Sequence, residues 1–256
     1  MVTCRVTRFR NAVVPMSRCA INQSNYIPWK GYFDLIGTVD HFIIYDSRQF
    51  TKNDWRNRNK IKTHNGPQWL SIPVKVPTLH MPIDEAQIAD PKWAKKHWAS
   101  ISQSYSRCEF FDAYKGFFEK FYDTVDETLL TRINESLIRG ICEMLDIKTH
   151  IHRDTDFTLE GDRVMRLINL CKQLKADTYL SGPRAKDYMD EQLFLEHGIK
   201  VEWMDYSGYP EYTQRFEPFE HAVSVLDLLF NEGPNARNFM KSGQHADKKP
   251  LNLQIL

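Results

Sequence analysis

No apolar run in this chain approaches the roughly 20 residues needed to cross a bilayer. Residues 1–15 lack the continuous apolar centre of a signal peptide, so the sequence leads to the expectation of a cytoplasmic protein. Cysteine is sparse. Cys4, Cys19, Cys108, Cys142 and Cys171 are odd in number and widely spaced, and none forms a Cys-x-x-Cys pair. That excludes a disulfide framework and the common zinc spacings, and leaves them as reduced, mostly packed thiols. Excess charge of one sign is missing too. A formal net charge of +1 over 256 residues argues against a binder of duplex nucleic acid, which carries a basic imprint over its whole domain. Internal repeats and low-complexity tracts are absent. What is present is ordinary for a well-packed globular chain: 42% apolar, 12% aromatic and 26% charged residues, long enough to bury one large core.

Against that plain background the stretch from Asn25 to Arg58 stands out. It places Tyr26, Trp29, Tyr32, Trp55, Arg56, Asn57 and Arg58 around two apolar, strand-like segments, more large and polar groups than a connection between elements requires. From Ser47 to Lys62 six basic residues (Arg48, Lys52, Arg56, Arg58, Lys60, Lys62) face one acid, Asp54. The imbalance is local and suits an anionic ligand.

In chain order, Cys19 to Ile21 reads as a buried strand ending at a loop with Gln23 and Asn25. Pro28 fits the first turn of a helix carrying Trp29, Tyr32, Phe33 and Ile36. His41 to Tyr45 is a second strand that ends in Asp46. Trp69 to Val76 is a third, demoted to an edge or broken strand by Pro73 and Pro77, and Thr78 to Asp90 reads as a long surface loop. Trp93 to Cys108 is helical, with Trp98, Ile101, Tyr105 and Cys108 on one stripe. His97 sits roughly 40° from Ile101 on that helix, facing the interior or a pocket. A capping-box pattern at Thr124 and Glu127 predicts a helix that buries Leu130, Ile133, Leu137, Ile141 and Met144. Helix over 162–174, strand over 178–180 with a Ser181-Gly182-Pro183 turn, helix over 185–197, strand from Ile199 to Trp203 and helix over 224–231 follow. The alternation predicts an α/β protein, a layered Rossmann-like fold with a mainly parallel sheet and an added helical segment at about 93–145. One domain over 19–233 is expected, after a mobile extension 1–18 and before a fraying polar tail 234–256.

Asn25-Tyr26, Pro28-Trp29, Gly31-Tyr32-Phe33, Asp40, Asp46, Gln49-Phe50, Lys52, Trp55-Arg56-Asn57-Arg58 and Trp69 to Pro73 resemble the WbqC-like family. Lys96-His97, Tyr105, Tyr179 to Gly182, Tyr188, Ser224 to Asp227, Asn231 and Gly233 extend the resemblance over roughly 19–233. Such proteins are associated with bacterial surface-polysaccharide gene clusters. The resemblance implies a transferase in precursor synthesis that acts on an activated sugar, acylating or aminoacylating its amino group. It brings no assignment of catalytic residues.

Roles are therefore read from residue chemistry. Arg56 and Arg58, with Asn57, offer planar forks that match phosphate oxygens, unless they form a solvated loop paired with Asp46 or Asp54. Trp29 and Trp55 frame a base or sugar face. His97 or Asp46 removes the amine's proton; the blander roles are a satisfied core histidine and a turn-capping carboxylate. Gln23, Gln49 and Tyr105 join the substrate-binding set, Ser181 and Gly182 offer backbone amides to an anion, and Tyr206, Tyr209 and Tyr212 wall a pocket or pack a loop. Cys108 lies about 16 Å along one straight helix from His97 and cannot pair with it, whereas Cys19 could meet His97 across the fold. His150, His152, Asp154 and Asp156 alternate as metal ligands on a strand would, with a solvated surface the better reading, so no metal is assigned.

The expected partner is a nucleotide-linked amino sugar, with an acyl thioester on a carrier protein or coenzyme A as co-substrate and no tightly bound cofactor. Two alternatives stand beside this reading. Asn25 to Tyr32 after a strand is similar to the strand-loop-helix of nucleotidyltransferases, although Trp29-Lys30-Gly31-Tyr32 replaces their His-x-Gly-His. The other is a non-catalytic sugar-nucleotide or carrier-binding module of a biosynthetic complex.

Overall fold

The computed structural model describes residues 16–78 and 80–246. Of the expected terminal segments, 1–15 and 247–256 lie outside the described residues.

The first half begins with β1 (Arg18–Asn22), α1 (Lys30–Gly37) and β2 (His41–Ile44). The chain then leaves the sheet through β3 (Arg58–Thr63), β4 (Gly66–Ser71), β5 (Val74–Lys75), β6 (Gln87–Ile88), α2 (Trp93–Tyr105), α3 (Phe111–Thr124) and α4 (Leu130–Met144). It re-enters with β7 (His150–Arg153), α5 (Arg163–Gln173), β8 (Thr178–Ser181), α6 (Glu191–Glu196) and β9 (Lys200–Trp203), and closes with α7 (Val225–Glu232) and α8 (Lys241–Ala246).

Five strands form one all-parallel sheet in the order β7-β2-β1-β8-β9. Parallel strands need both faces covered, and the period of two in the sequence meets that need. On β1, Cys19 and Ile21 face a core shared with Leu167, Ile168 and Cys171 of α5 and Phe194 of α6. Ala20 faces the other way, with Phe42 and Ile44, into the larger core made by α1, the helices α2 to α4, the β3–β4 hairpin and α7. The layered, Rossmann-like α/β reading thus describes the molecule, and the helical segment expected at about 93–145 is α2, α3 and α4.

Several local expectations shift. The helix expected to start at Thr124 starts at Leu130; the Thr124 hydroxyl instead donates to the Lys120 carbonyl at the end of α3, and Glu127 accepts from the Thr128 and Leu129 amides in the connecting loop. Helix 185–197 is a 3-10 turn over Pro183–Asp187 followed by the short α6. The basic stretch after Arg58 is not a loop. It is β3, paired antiparallel with β4, its Asn59 and Ile61 turned inward while Arg58 and Lys60 face outward opposite Ser71 and Trp69. Pro73 separates β4 from β5, as a residue without an amide proton does in a ladder.

The expected boundaries move as well. Arg18 belongs to β1, and Ala236, Met240 and Ser242 pack into the molecule. Asp34 on α1 is fully buried, and its carboxylate accepts from the amides of Lys241 (3.1 Å) and Ser242 (2.6 Å) and from the Tyr209 hydroxyl (2.6 Å). A buried charge demands such partners. The start of α8 is therefore bound to the core by the residue that most needs it, and Met240 is buried alongside. Gly233 ends α7 at φ 53°, and a Cβ there would meet the Phe110 ring at 2.3 Å.

Candidate functional site

After β2 the chain continues outward to β7, then returns across the sheet to place β8 on the other side of β1. Helices therefore leave β1 and β8 toward opposite faces, and the ends of these two strands open a crevice, the position where open parallel sheets bind ligands. A cavity of about 520 Å³ occupies it, within the usual range for a small-molecule site. Ile21 and Asn22 at the end of β1, and Ser181 and Gly182 at the end of β8, form its floor. Asn25, Pro28, Trp29 and Tyr32 line it from the β1–α1 connection, Trp55 and Asn59 from the hairpin side, and Arg184, Tyr188, Tyr206 and Ala222 from the second half.

The β1–α1 loop is bent to make this wall. Ile27 has φ 35°, a left-handed backbone that a β-branched residue adopts only when neighbours enforce it. The neighbours are identifiable. The Asn59 side-chain amide donates to the carbonyls of Tyr26 (3.1 Å) and Ile27 (2.8 Å), the Tyr26 amide donates to the Trp55 carbonyl (3.0 Å), and the Val225 amide donates to the Pro28 carbonyl (2.8 Å). The bend carries Asn25 and Trp29 to the cavity, and α1 begins at Lys30, two residues later than Pro28 alone predicts.

Arg56 stands behind this loop. Its guanidinium donates to the Asn25 side-chain oxygen and to the Ser24 carbonyl (3.3 Å), and Asp54 lies 3.8 Å away. Burial lowers its pKa, with Asp54, Tyr32 and Asp46 opposing. Its hydrogen bonds are spent on the loop, so it positions Asn25. Arg58 lies on the hairpin's outer face with its guanidinium 4.2 Å from the Trp69 ring centroid. Asn57 staples the hairpin base, its side-chain amide donating to the Ile72 carbonyl at 2.8 Å.

The two groups expected to take a proton lie elsewhere. His97 is 6% exposed, packed between Tyr26 and Trp93, with its Nδ1 2.8 Å from the Tyr26 hydroxyl, which also meets the Tyr122 hydroxyl at 2.7 Å. Burial pushes its pKa down to about 4 against the opposing pull of the Ser71 backbone. It is a satisfied core histidine that does not line the cavity, because the stripe it borders faces the larger core. Asp46 is 1% exposed and accepts from the Ser24 amide (2.8 Å) and the Thr131 hydroxyl (2.6 Å), tying the β1 and β2 loops to α4. Burial raises its carboxyl while those hydrogen bonds hold it down.

Tyr26 and Tyr105 are buried too, the latter accepting from the Lys62 amide at 2.9 Å. Gln23 offers its carbonyl to the Tyr32 hydroxyl (3.0 Å), and Gln49 bridges to Pro82 away from the cavity. Tyr209 stands behind the wall, edge-on to Trp29 with ring centroids 5.9 Å apart. Cys19 cannot meet His97, because its side chain is on the opposite face of β1, 3.3 Å from the Cys171 sulfur. His150 to Asp156 divides into β7 and a 3-10 turn, and among the described residues no group of three or more His, Cys, Asp or Glu is placed to hold a metal ion.

Of the residues singled out in the sequence, Asn25, Trp29, Tyr32, Trp55, Ser181, Gly182 and Tyr206 line the cavity together. Sequence reasoning passed over Asn59 and Arg184, and met Tyr188 only in the family resemblance. Arg184 was findable, since it follows the Ser181-Gly182 turn by two residues; Asn59 was hidden inside an apparently solvated basic run. No helix among the described residues is long and apolar enough to cross a membrane.

Comparison with known proteins agrees with the resemblance in the sequence. The model of the WbqC-like protein family matches residues 23–239. An uncharacterized protein of Mycobacterium tuberculosis, Rv1507c, is 46% identical over 227 residues, covering 88% of this chain and 98% of the relative. No solved structure matches. With a family match that spans the bent loop, the hairpin and the end of β8, the chain belongs to the WbqC-like protein family.

Proposed function

We propose that the protein is a transferase of bacterial surface-polysaccharide precursor synthesis that binds a nucleotide-linked amino sugar in the crevice between β1 and β8 and acylates or aminoacylates its amino group. The observation that carries the reading is the lining of that crevice: indoles and phenols beside the amides of Asn22 and Asn25, the Ser181 hydroxyl and one guanidinium, Arg184. Aromatic faces take sugar or base rings, amides and hydroxyls exchange hydrogen bonds with sugar hydroxyls, and Arg184 beside the Ser181-Gly182 turn takes phosphate oxygens. The association of WbqC-like proteins with surface-polysaccharide gene clusters supplies the class of sugar.

In this reading the sugar amine attacks the carbonyl of an acyl thioester from a carrier protein or coenzyme A. A C–N bond forms, the C–S bond breaks, and the thiolate leaves. The amine must be neutral to attack. Among the described residues the cavity lining has no carboxylate, and Arg184 is cationic, so the surroundings disfavour the ammonium form and depress the amine's pKa. The proton released on acylation passes to the departing thiolate, whose conjugate thiol has an ordinary pKa of about 8.5.

A second reading, a non-catalytic module that holds a sugar nucleotide for a biosynthetic complex, is favoured by one observation: His97 and Asp46 are both in the interior, away from the cavity. Turnover separates the two. The protein is incubated with nucleotide-linked amino sugars and a panel of acyl thioesters, and products are followed by mass spectrometry. A sugar that gains the acyl mass supports the transferase, whereas saturable binding with no product from any donor supports the module.

A further inference from the structure

We infer that the aromatic and basic surface formed by Trp55, Trp69, Arg58 and Lys60 is a nucleoside-phosphate subsite continuous with the cavity, so that the substrate enters sugar first and leaves its base and outer phosphate on the hairpin. The inference rests on the proposed binding of a nucleotide-linked sugar and adds the direction in which it lies.

Trp55 and Trp69 are 37% and 41% exposed, with ring centroids 5.4 Å apart at a tilt of 37°. Large indoles left side by side in water are unusual unless something covers them. They are not loosely held. Trp69 lies on β4 opposite Lys60, and the other face of the same hairpin buries Asn59, Ile61 and Leu70, which fixes the ribbon against the core. Trp55 belongs to both places: it lines the cavity and touches Trp69 outside it.

Among the described residues the charges on this surface lack anionic partners. The Arg58 guanidinium lies 4.2 Å and the Lys60 ammonium 5.2 Å from the Trp69 centroid, and among the described residues neither forms an ion pair. The Arg58 Nε is buried without a hydrogen-bond acceptor. Arg56, by contrast, has Asp54, Asn25 and Ser24, so the local excess of positive charge resolves into an inner cation already satisfied and outer cations that are not. A base that stacks on the exposed indole surface would bring its phosphate to the Arg58 and Lys60 cations. The cavity, with amides, hydroxyls and the single charge of Arg184, is matched instead to the hydroxyl-rich end and the phosphate next to it.

The test compares wild type, Trp69→Ala and Arg58→Gln in titrations with three probes: a nucleotide-linked amino sugar, the nucleoside diphosphate alone, and the amino sugar 1-phosphate. Trp69→Ala is expected to weaken the two nucleotide probes by roughly five- to 150-fold, the range for loss of one stacking partner, and to leave the sugar phosphate unchanged. Arg58→Gln, which keeps the hairpin's packing face intact, should act on the same two probes in the same direction. If wild type binds the nucleotide-linked sugar and both variants bind all three probes as wild type does, the subsite is wrong while the cavity reading stands. If wild type binds none of the three, both readings fall.

Discussion

His97 is the residue at which chemistry and packing compete most directly, and pH distinguishes them. Its folded-state pKa is pushed from 6.5 down to about 4 by burial. The folded protein therefore favours the neutral imidazole, and the stability this provides is complete above pH 6.5 and is lost as the pH falls toward 4. The loss is up to about 3 kcal/mol, at a slope no steeper than about 1.4 kcal/mol per pH unit. Denaturant melts between pH 7 and 4 should show that slope in wild type and a flatter profile in His97→Gln; identical profiles would contradict the assignment. Arg184 belongs to the same scale. Removing a guanidinium that meets phosphate costs about 1.5–3 kcal/mol. Arg184→Ala should therefore weaken binding of a nucleotide-linked sugar by at least tenfold in calorimetry, with little change in melting temperature because the side chain is exposed. Arg56→Ala is expected to do the opposite in kind, lowering stability and affinity together, since Asn25 loses its anchor.

Among the elements, the β3–β4 hairpin supports the site from outside the parallel sheet. Asn59 projects from it to two successive carbonyls of the bent loop, so Asn59→Ala leaves both buried acceptors unpaired and releases the strain at Ile27. The expected cost is about 1–3 kcal/mol, a fall of several degrees in melting temperature by calorimetry, accompanied by loss of ligand affinity. A variant that melts like wild type would mean the loop holds itself. This hairpin also marks where sequence reading stops. The strands of the parallel sheet are apolar runs bounded by turn residues, and α4 and α5 carry their stripes plainly, so their existence is legible. β3 is Arg-Asn-Lys-Ile-Lys-Thr, and a run so polar signals a strand only once Ile61 and Asn59 are known to face the core. Trp29 and Trp55 were visible as aromatics without a packing reason. The roles of Arg56 and His97 were not, because whether a polar side chain meets ligand or interior depends on elements distant in sequence: Asn25 for one, Tyr26 and Tyr122 for the other.

For the whole molecule the strand order decides the account. Placing β8 beside β1 opens the crevice, and α1, which starts at its wall, is held from behind by the C-terminal segment through Asp34. A chain ended after residue 233 would leave that buried carboxylate without two of its donors and take the buried Met240 side chain out of the core. It should lose about 3 kcal/mol or more in urea melts, as removal of one partner from a buried charge does elsewhere.

The most direct test of the crevice as the binding site is calorimetric titration of a nucleoside-diphosphate amino sugar into wild type and Gly182→Trp. Gly182 has φ −71°, and a Cβ there would meet nothing nearer than the Tyr206 hydroxyl at 3.9 Å, so an indole fits the backbone and fills the space between the strand ends. Saturable binding by wild type, abolished in a variant that melts at the same temperature, is the predicted result; equal affinity in the two proteins would contradict it.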